Sequence, residues 1–236
     1  MPSSLHQTAH HASFGKPHRY TLQGEQLRLL PQKALFWERK QALIIADAHL
    51  GKSGHFRKNG MALPNGVTQH DIARMEALVA HLQPQKVLFL GDLFHSEYNR
   101  EWNLMGECIA AHPAIDWMLV KGNHDFLPSA RYAALGLEVF EKYWEAAPFC
   151  FRHEPPEDAQ KVPISKGLYT LSGHIHPGLR MNGPARQRFR LPAFVFGNAW
   201  GVLPAFGSFT GLSTQAAFME GQKCFGIAED VVLPLG

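Results

Sequence analysis

The chain has 236 residues, 45% of them hydrophobic, with 23 Lys and Arg against 20 Asp and Glu for a formal net charge of +3. This length suits one large α/β domain or two small ones with a substantial core, and the mild positive excess permits a polyanionic partner without requiring one. No apolar run reaches the roughly 18 residues of a membrane span, and Cys108, Cys150 and Cys224 show no C-x-x-C spacing, which argues against a disulfide framework or a structural zinc knot.

Residues 1–18 are rich in His, Ser, Ala and Gln and are expected to form an unstructured, His-rich tail, with residues 19–236 as a single domain. No apolar stretch follows the start, so a signal peptide is not expected, and a reducing, cytoplasmic setting is. His10 and His11 offer only adventitious metal binding. Short strand-like pieces, Gln26 to Leu30 and Ala34 to Trp37, flank the turn signal Pro31-Gln32-Lys33. Ala42-Leu43-Ile44-Ile45-Ala46 reads as the first fully buried strand, and Asp47-Ala48-His49 follows it at once.

The segment from Leu50 to Gly66 combines four glycines with Lys52, His55, Arg57 and Lys58 and reads as a long basic loop. A helix is expected from near Thr68, with Thr68 as N-cap and Asp71 completing a capping box; Ile72, Met75, Leu78, Val79 and Leu82 form its apolar face, and Pro84 ends it. Lys86 to Leu90 is a buried strand, after which Gly91 lets the backbone turn and presents Asp92, with His95 just beyond. Strand, helix, strand implies a parallel pair with a right-handed crossover. A second helix over 101–112, with Leu104, Cys108 and Ala111 inward, leads to the strand Trp117-Met118-Leu119-Val120 and then Gly122-Asn123-His124-Asp125.

Beyond Pro128 a short helix near 130–135 gives way to strands: Leu137 to Phe140, Phe149 to Arg152 before His153, Tyr169 to Ser172 before Gly173-His174-Ile175-His176, then Phe189 to Leu191, Ala193 to Phe196 and Phe206 to Thr210. With no long helices between them, they predict a second sheet facing the first. Tyr98 and Trp102 offer base stacking, although core packing is the commoner use of an aromatic at helical spacing. Arg186, Arg188 and Arg190 alternate with Gln187 and Phe189, which reads as the exposed face of a strand.

Five segments carry the chemistry: Asp47-x-His49, Asp92-x-x-His95, Asn123-His124-Asp125, His153, and His174-x-His176. Singly, each is more often a hydrogen-bonded structural group. Five in order, each at the end of a predicted strand where open α/β sheets place their ligands, point to a metal site. The ligands are imidazole, carboxylate and amide oxygen with no thiolate, a set that suits Mn, Fe, Zn or Ni. A carboxylate such as Asp92 has two oxygens and can serve two ions at once. Two ions about 3.5–4 Å apart bind both sides of a phosphate and acidify a bridging water, whose hydroxide is then the nucleophile.

The set D-x-H, G-D-x-x-H, G-N-H-D, H and G-H-x-H resembles the five motifs of the calcineurin-like metallophosphoesterases over roughly residues 42 to 200. Ala46 to Lys52, His153-Glu154-Pro155 and Leu203 to Gly211 are further similar to the bacterial DNA-ligase-associated phosphoesterases, the PdeM group. Ala48 departs from the larger residue expected there. The resemblance implies an α/β metallophosphoesterase four-layer sandwich, two facing mixed β-sheets flanked by helices, with the di-metal site on loops at strand ends. It implies one divalent ion on Asp47, His49, Asp92 and His176 and a second on Asp92, Asn123, His153 and His174, with Mn2+ as the expected metal.

His124 follows a ligand and is expected to stabilise the transition state or protonate the leaving oxygen, with Asp125 orienting its ring; His95 contacts the phosphate or supports its loop. Lys52 and Arg57 are candidate contacts to a nucleic-acid backbone. The implied activity is that of a DNA endonuclease or phosphodiesterase in damage response, with DNA and repair proteins such as an associated DNA ligase as partners and no membrane. The alternatives are the same chemistry on a small nucleotide or lipid-head phosphoester, and an inactive scaffold; every ligand position is filled, which argues against the scaffold.

Overall fold

A computed structural model describes residues 14–52, 67–95, 100–156, 167–182, 188–214 and 221–235. The first sheet has the order β1-β2-β3-β4-β5-β6-β7: His18–Leu22, Glu25–Leu30, Ala34–Trp37, Ala42–Ala46, Lys86–Leu90, Asp116–Val120 and Glu138–Phe140. Strands β1 to β4 form an antiparallel meander, whereas β4, β5, β6 and β7 run parallel.

The parallel part follows from βα crossovers through α1 (Val67–Leu82), α2 (Arg100–Ala111) and α3 (Ser129–Ala134). These helices bury Ile72, Met75, Met105, Ile109 and Tyr132 against Leu43, Val87, Phe89 and Leu119 on one face of the sheet. The α1 face is the one its 3.6-residue periodicity predicts. In α2 the buried side is Trp102, Met105, Cys108 and Ile109 with Leu104 packed partly buried against it, whereas Ala111 is exposed; Trp102 is thus a core residue and not a stacking platform. Among the described residues no helix is long and apolar enough to cross a membrane.

The second sheet has the order β15-β14-β12-β13-β10-β9-β8. Its members are β8 (Tyr143–Ala146), β9 (Phe149–Arg152), β10 (Tyr169–Ser172), β12 (Arg188–Phe196), β13 (Trp200–Val202), β14 (Lys223–Ala228) and β15 (Val231–Leu235); β11 (Gly178–Asn182) pairs only with β12. Leu29, Trp37, Ile44 and Leu88 of the first sheet meet Phe149, Phe151, Phe194 and Phe225 of the second, so the two mixed sheets face each other across one apolar layer. Two facing mixed sheets with helices packed on the first are the arrangement the sequence predicts.

Several elements differ from their sequence reading. The pieces 189–191 and 193–196 are one strand, β12, which passes through Pro192 by changing partners: residues 188–192 pair with β11, and 193–196 with β13 and β14. A proline that lacks a donor fits at such a switch point. Phe206 to Thr210 is not a strand; it is a loop that follows the isolated bridge Ala46–Ala205 at the end of β4. Asp71 does not close a capping box. Its carboxylate accepts from the backbone N–H of Ser208 at 3.0 Å and pairs with Arg74 at 3.0 Å. Within the expected tail, 1–13 and thus His10 and His11 lie outside the described residues, while Lys16 bridges Val231 and His18 already opens β1.

Candidate metal centre

The register of the parallel strands builds the site. Ala46 pairs with Leu90 and Leu90 with Val120, so β4, β5 and β6 end at one level. The residues that follow, Asp47, Asp92 and Asn123, therefore emerge side by side at the carboxyl edge. In the second sheet Phe151 pairs with Leu171, which brings His153 and His174 to the same edge from the opposite side.

Local backbone geometry aims these side chains. Asp47, His49, Asp92, His174 and His176 all have positive φ, between 45° and 69°. A non-glycine residue held there costs roughly 1 kcal/mol or more, which the surrounding structure must supply. Two close approaches contribute to it. A Cβ on Gly122 would lie 2.3 Å from Asp92 Oδ1, and one on Gly173 would lie 2.5 Å from Asp47 Oδ2.

Two groups of donors result, Asp47/His49/His176 and Asp92/His153/His174, each with its ligand atoms within 4.8 Å of one another. Asp92 lies between them: Oδ2 is 3.7 Å from His49 Nε2, and Oδ1 is 3.5 Å from His153 Nε2. Asp47 Oδ1 is 3.3 Å from His176 Nε2. His153 donates its Nδ1–H to the carbonyl of Leu90 at 2.9 Å, which leaves the Nε2 lone pair 2.9 Å from Asn123 Oδ1. His174 Nδ1 stands 3.1 Å from both. The lone pairs of His153 Nε2 and Asn123 Oδ1 repel at this distance unless a proton donor or a cation lies among them.

Asp47 Oδ1 and both ring nitrogens of His49 are buried without a hydrogen-bond partner among the described residues, which is costly unless a cation meets them. Burial, then the charge of Lys52 and of the neighbouring histidines, pushes His49 down to about 2, so its ring is neutral and able to ligate. The donor set thus fits two divalent cations.

The other predicted residues are placed as follows. His124 donates its backbone N–H to Asp92 Oδ1 at 2.8 Å, and its half-buried ring lies 5.5 Å from that of His49 and 5.1 Å from that of His95. Asp125 has a different set of partners from the one expected. Its carboxylate accepts from the backbone N–H groups of Asp92 (2.8 Å), Leu93 (3.1 Å) and Gly122 (2.9 Å), and so clamps two metal loops together rather than orienting the His124 ring. Burial raises this carboxyl to about 6, against those hydrogen bonds. Lys52 is half-buried; burial lowers its pKa while the charges of Asp92 and Asp47 raise it, which places it at the rim of the site. Arg57 and Tyr98 lie outside the described residues.

Sequence reasoning missed the support behind Asp47. Phe206 and Gly207 donate backbone N–H groups to the carbonyls of Ala46 (2.8 Å) and Asp47 (3.1 Å). That loop is in turn held by Asp71, by Arg74, whose guanidinium donates to the Phe206 carbonyl and stacks on its ring at 4.1 Å, and by Lys33 donating to the Gly207 carbonyl at 3.1 Å. A hollow of about 540 Å³ opens beside Asn123 and His153, with Lys121, Arg152 and Tyr143 on its walls.

The model of the calcineurin-like phosphoesterase family matches residues 41–197. A search of the curated proteins found no match. Among solved structures, the nuclease MPE of Pseudomonas putida is similar at 28% identity and a TM-score of 0.77, covering 93% of this chain and 100% of its own. The E. coli phosphoesterase YfcE is similar at 11% identity and a TM-score of 0.45, covering 81% and 95%.

Proposed function

Because the chain belongs to the calcineurin-like phosphoesterase family, we propose that it is a two-metal phosphodiesterase that cuts DNA, with Mn2+ as its metal. That it is a metal-dependent phosphoesterase follows from the family itself. The observation that carries the two-metal reading is Asp92, whose two oxygens turn to different donor groups. The nuclease reading is supported by the likeness to the Pseudomonas putida nuclease over its full length. Action in DNA repair beside a ligase, and a cytoplasmic site of action, are parts of the proposal that rest on the motif resemblance.

Two divalent cations here would neutralise charge on the phosphoryl oxygens and make water a competent nucleophile at neutral pH. Asp47, His49 and His176 would hold one, Asn123, His153 and His174 the other, with Asp92 shared. Asp125 keeps Asp92 and Asn123 at fixed separation through the backbone it ties. His124, anchored by its own N–H to Asp92, would protonate the leaving oxygen. His95, packed against it, supports that placement.

The test is hydrolysis by metal-stripped protein with Mn2+ restored, on bis-p-nitrophenyl phosphate, p-nitrophenyl phosphate and a supercoiled plasmid. Diester hydrolysis with plasmid nicking is the expected result. Diester hydrolysis with an intact plasmid would reassign the enzyme to small phosphodiesters, and inactivity with metal bound would refute catalysis.

A further inference from the structure

The described residues carry one concentration of charge that the metal site does not use. From Ala159 to Met219 the sequence contains no aspartate or glutamate, although the chain as a whole is nearly balanced. Within that stretch lies the β11–β12 ribbon, in which Arg180 pairs directly with Arg190 and Asn182 with Arg188. Residues paired across strands, and those two apart on one strand, share a face. Arg180, Arg188 and Arg190 therefore stand together, all exposed, on a hollow of about 660 Å³ that Phe189, 47% exposed, also lines.

Like charges directly opposed across a ladder destabilise it. None of the three arginines forms a salt bridge with a described residue; Arg180 donates Nε–H to Thr214 Oγ1 at 3.0 Å, which steadies its guanidinium and leaves its other donors outward. An arginine cluster with no acidic partner among the described residues suits an anionic partner, and the planar fork of arginine matches phosphate.

The ribbon is continuous with the metal centre. β11 starts two residues after His176, and the strap 213–214 ties the junction: Ser213 donates N–H to the His176 carbonyl at 2.9 Å, and Gly178 donates N–H to the Ser213 carbonyl at 2.8 Å. Along an extended strand the arginine positions lie about 13–20 Å from His176. At about 3.4 Å of rise per nucleotide on one strand, that distance is four to six nucleotides from a scissile bond.

We infer that the β11–β12 ribbon is the enzyme's DNA-backbone contact, gripping phosphates four to six nucleotides from the bond being cut through Arg180, Arg188 and Arg190. The inference rests on the DNA reading given above and names how that substrate is held. The two strands present a positive face next to the chemistry without adding to the metal ligands.

The experiment compares the metal-loaded parent with R188Q/R190Q in plasmid nicking and bis-p-nitrophenyl phosphate hydrolysis across a salt series. Losing two duplex phosphate contacts should cut kcat/KM for nicking by at least about tenfold near 0.1 M salt, through KM, and flatten the slope of log kcat/KM against log salt by about 1.8. Hydrolysis of the small diester, which is too short to reach the ribbon, should be unchanged, and R188K/R190K should regain most of the nicking. Equal nicking and an equal salt slope in parent and R188Q/R190Q would overturn the inference, as would an equal loss on both substrates. So would unaltered nicking with loss of binding to phosphatidylserine vesicles, which would assign the ribbon to a membrane surface. A parent that hydrolyses the small diester but never nicks plasmid would sink the DNA reading itself, a result distinct from a parent that nicks with no need of the ribbon.

Discussion

His153 donates Nδ1–H to the carbonyl of Leu90, the last residue of β5, across 63 positions of sequence and at 2.9 Å. One bond thus fixes the tautomer of a second-sheet ligand from the backbone of the first sheet and turns its Nε2 toward Asn123 and Asp92. The contact explains why Gly91 follows Leu90: a Cβ there would lie 2.3 Å from His153 Nδ1, and φ is +74°.

Gly122→Ala tests this close packing. The added methyl would meet Asp92 Oδ1 at 2.3 Å and the Asp92 amide at 2.5 Å, so the bridging carboxylate must shift. Metal affinity should fall roughly 10–100-fold while the fold survives. Calorimetric titration with Mn2+ and far-UV circular dichroism check both parts; parent-like affinity would mean that Asp92 tolerates displacement.

His124→Ala should leave metal content unchanged and slow diester hydrolysis by roughly 10²–10⁴-fold, the usual contribution of a positioned proton donor. The backbone N–H to Asp92 persists in alanine. Loss of metal in this variant, measured by elemental analysis, would make His124 a ligand.

Asp71→Ala removes the acceptor of the Ser208 amide, the Ser208 hydroxyl and Arg74, and strands a largely buried guanidinium. Breaking a buried pair from one side costs about 3 kcal/mol. Urea denaturation should show that loss. Because the loop 206–208 holds the carbonyls of Ala46 and Asp47, metal affinity should fall as well. A variant with reduced stability but unaltered metal affinity would separate the loop from the site.

Lys33 gives a pH signature. Burial, then the charge of Arg74, pushes it down to about 8 from its ordinary 10.5. Between these values the unfolded chain binds the proton that the folded chain has released. Stability should therefore rise with pH from about 8 to 10.5, by at most about 1.4 kcal/mol per unit, relative to Lys33→Met. Denaturation midpoints of the two proteins at pH 7.5, 9 and 10.5 check this; a difference that stays constant would contradict it.

The metal segments were legible because each follows the same grammar. An apolar strand such as Lys86 to Leu90 ends in a turn residue, and the polar side chain after it has nowhere to go but the sheet edge. Asp71 was not legible, because Ser208 lies 137 residues away, and an acid three residues after a threonine looks locally like a cap. Phe206 to Thr210 has the apolar content of a strand but only follows the isolated bridge of Ala205 to β4 and is pinned by side chains from α1 and the β2–β3 turn instead. The partners of Asp125 are backbone amides, which leave no mark in the sequence.

The most direct test of the two-metal centre is the number of Mn2+ ions bound per chain, by elemental analysis after dialysis, in the parent and in Asp92→Ala. Two ions in the parent, with one or none and no diester hydrolysis in the variant, is the predicted result, since both donor groups share Asp92. Two ions retained in Asp92→Ala, or turnover near the parent rate, would contradict a bridging carboxylate and the mechanism built on it.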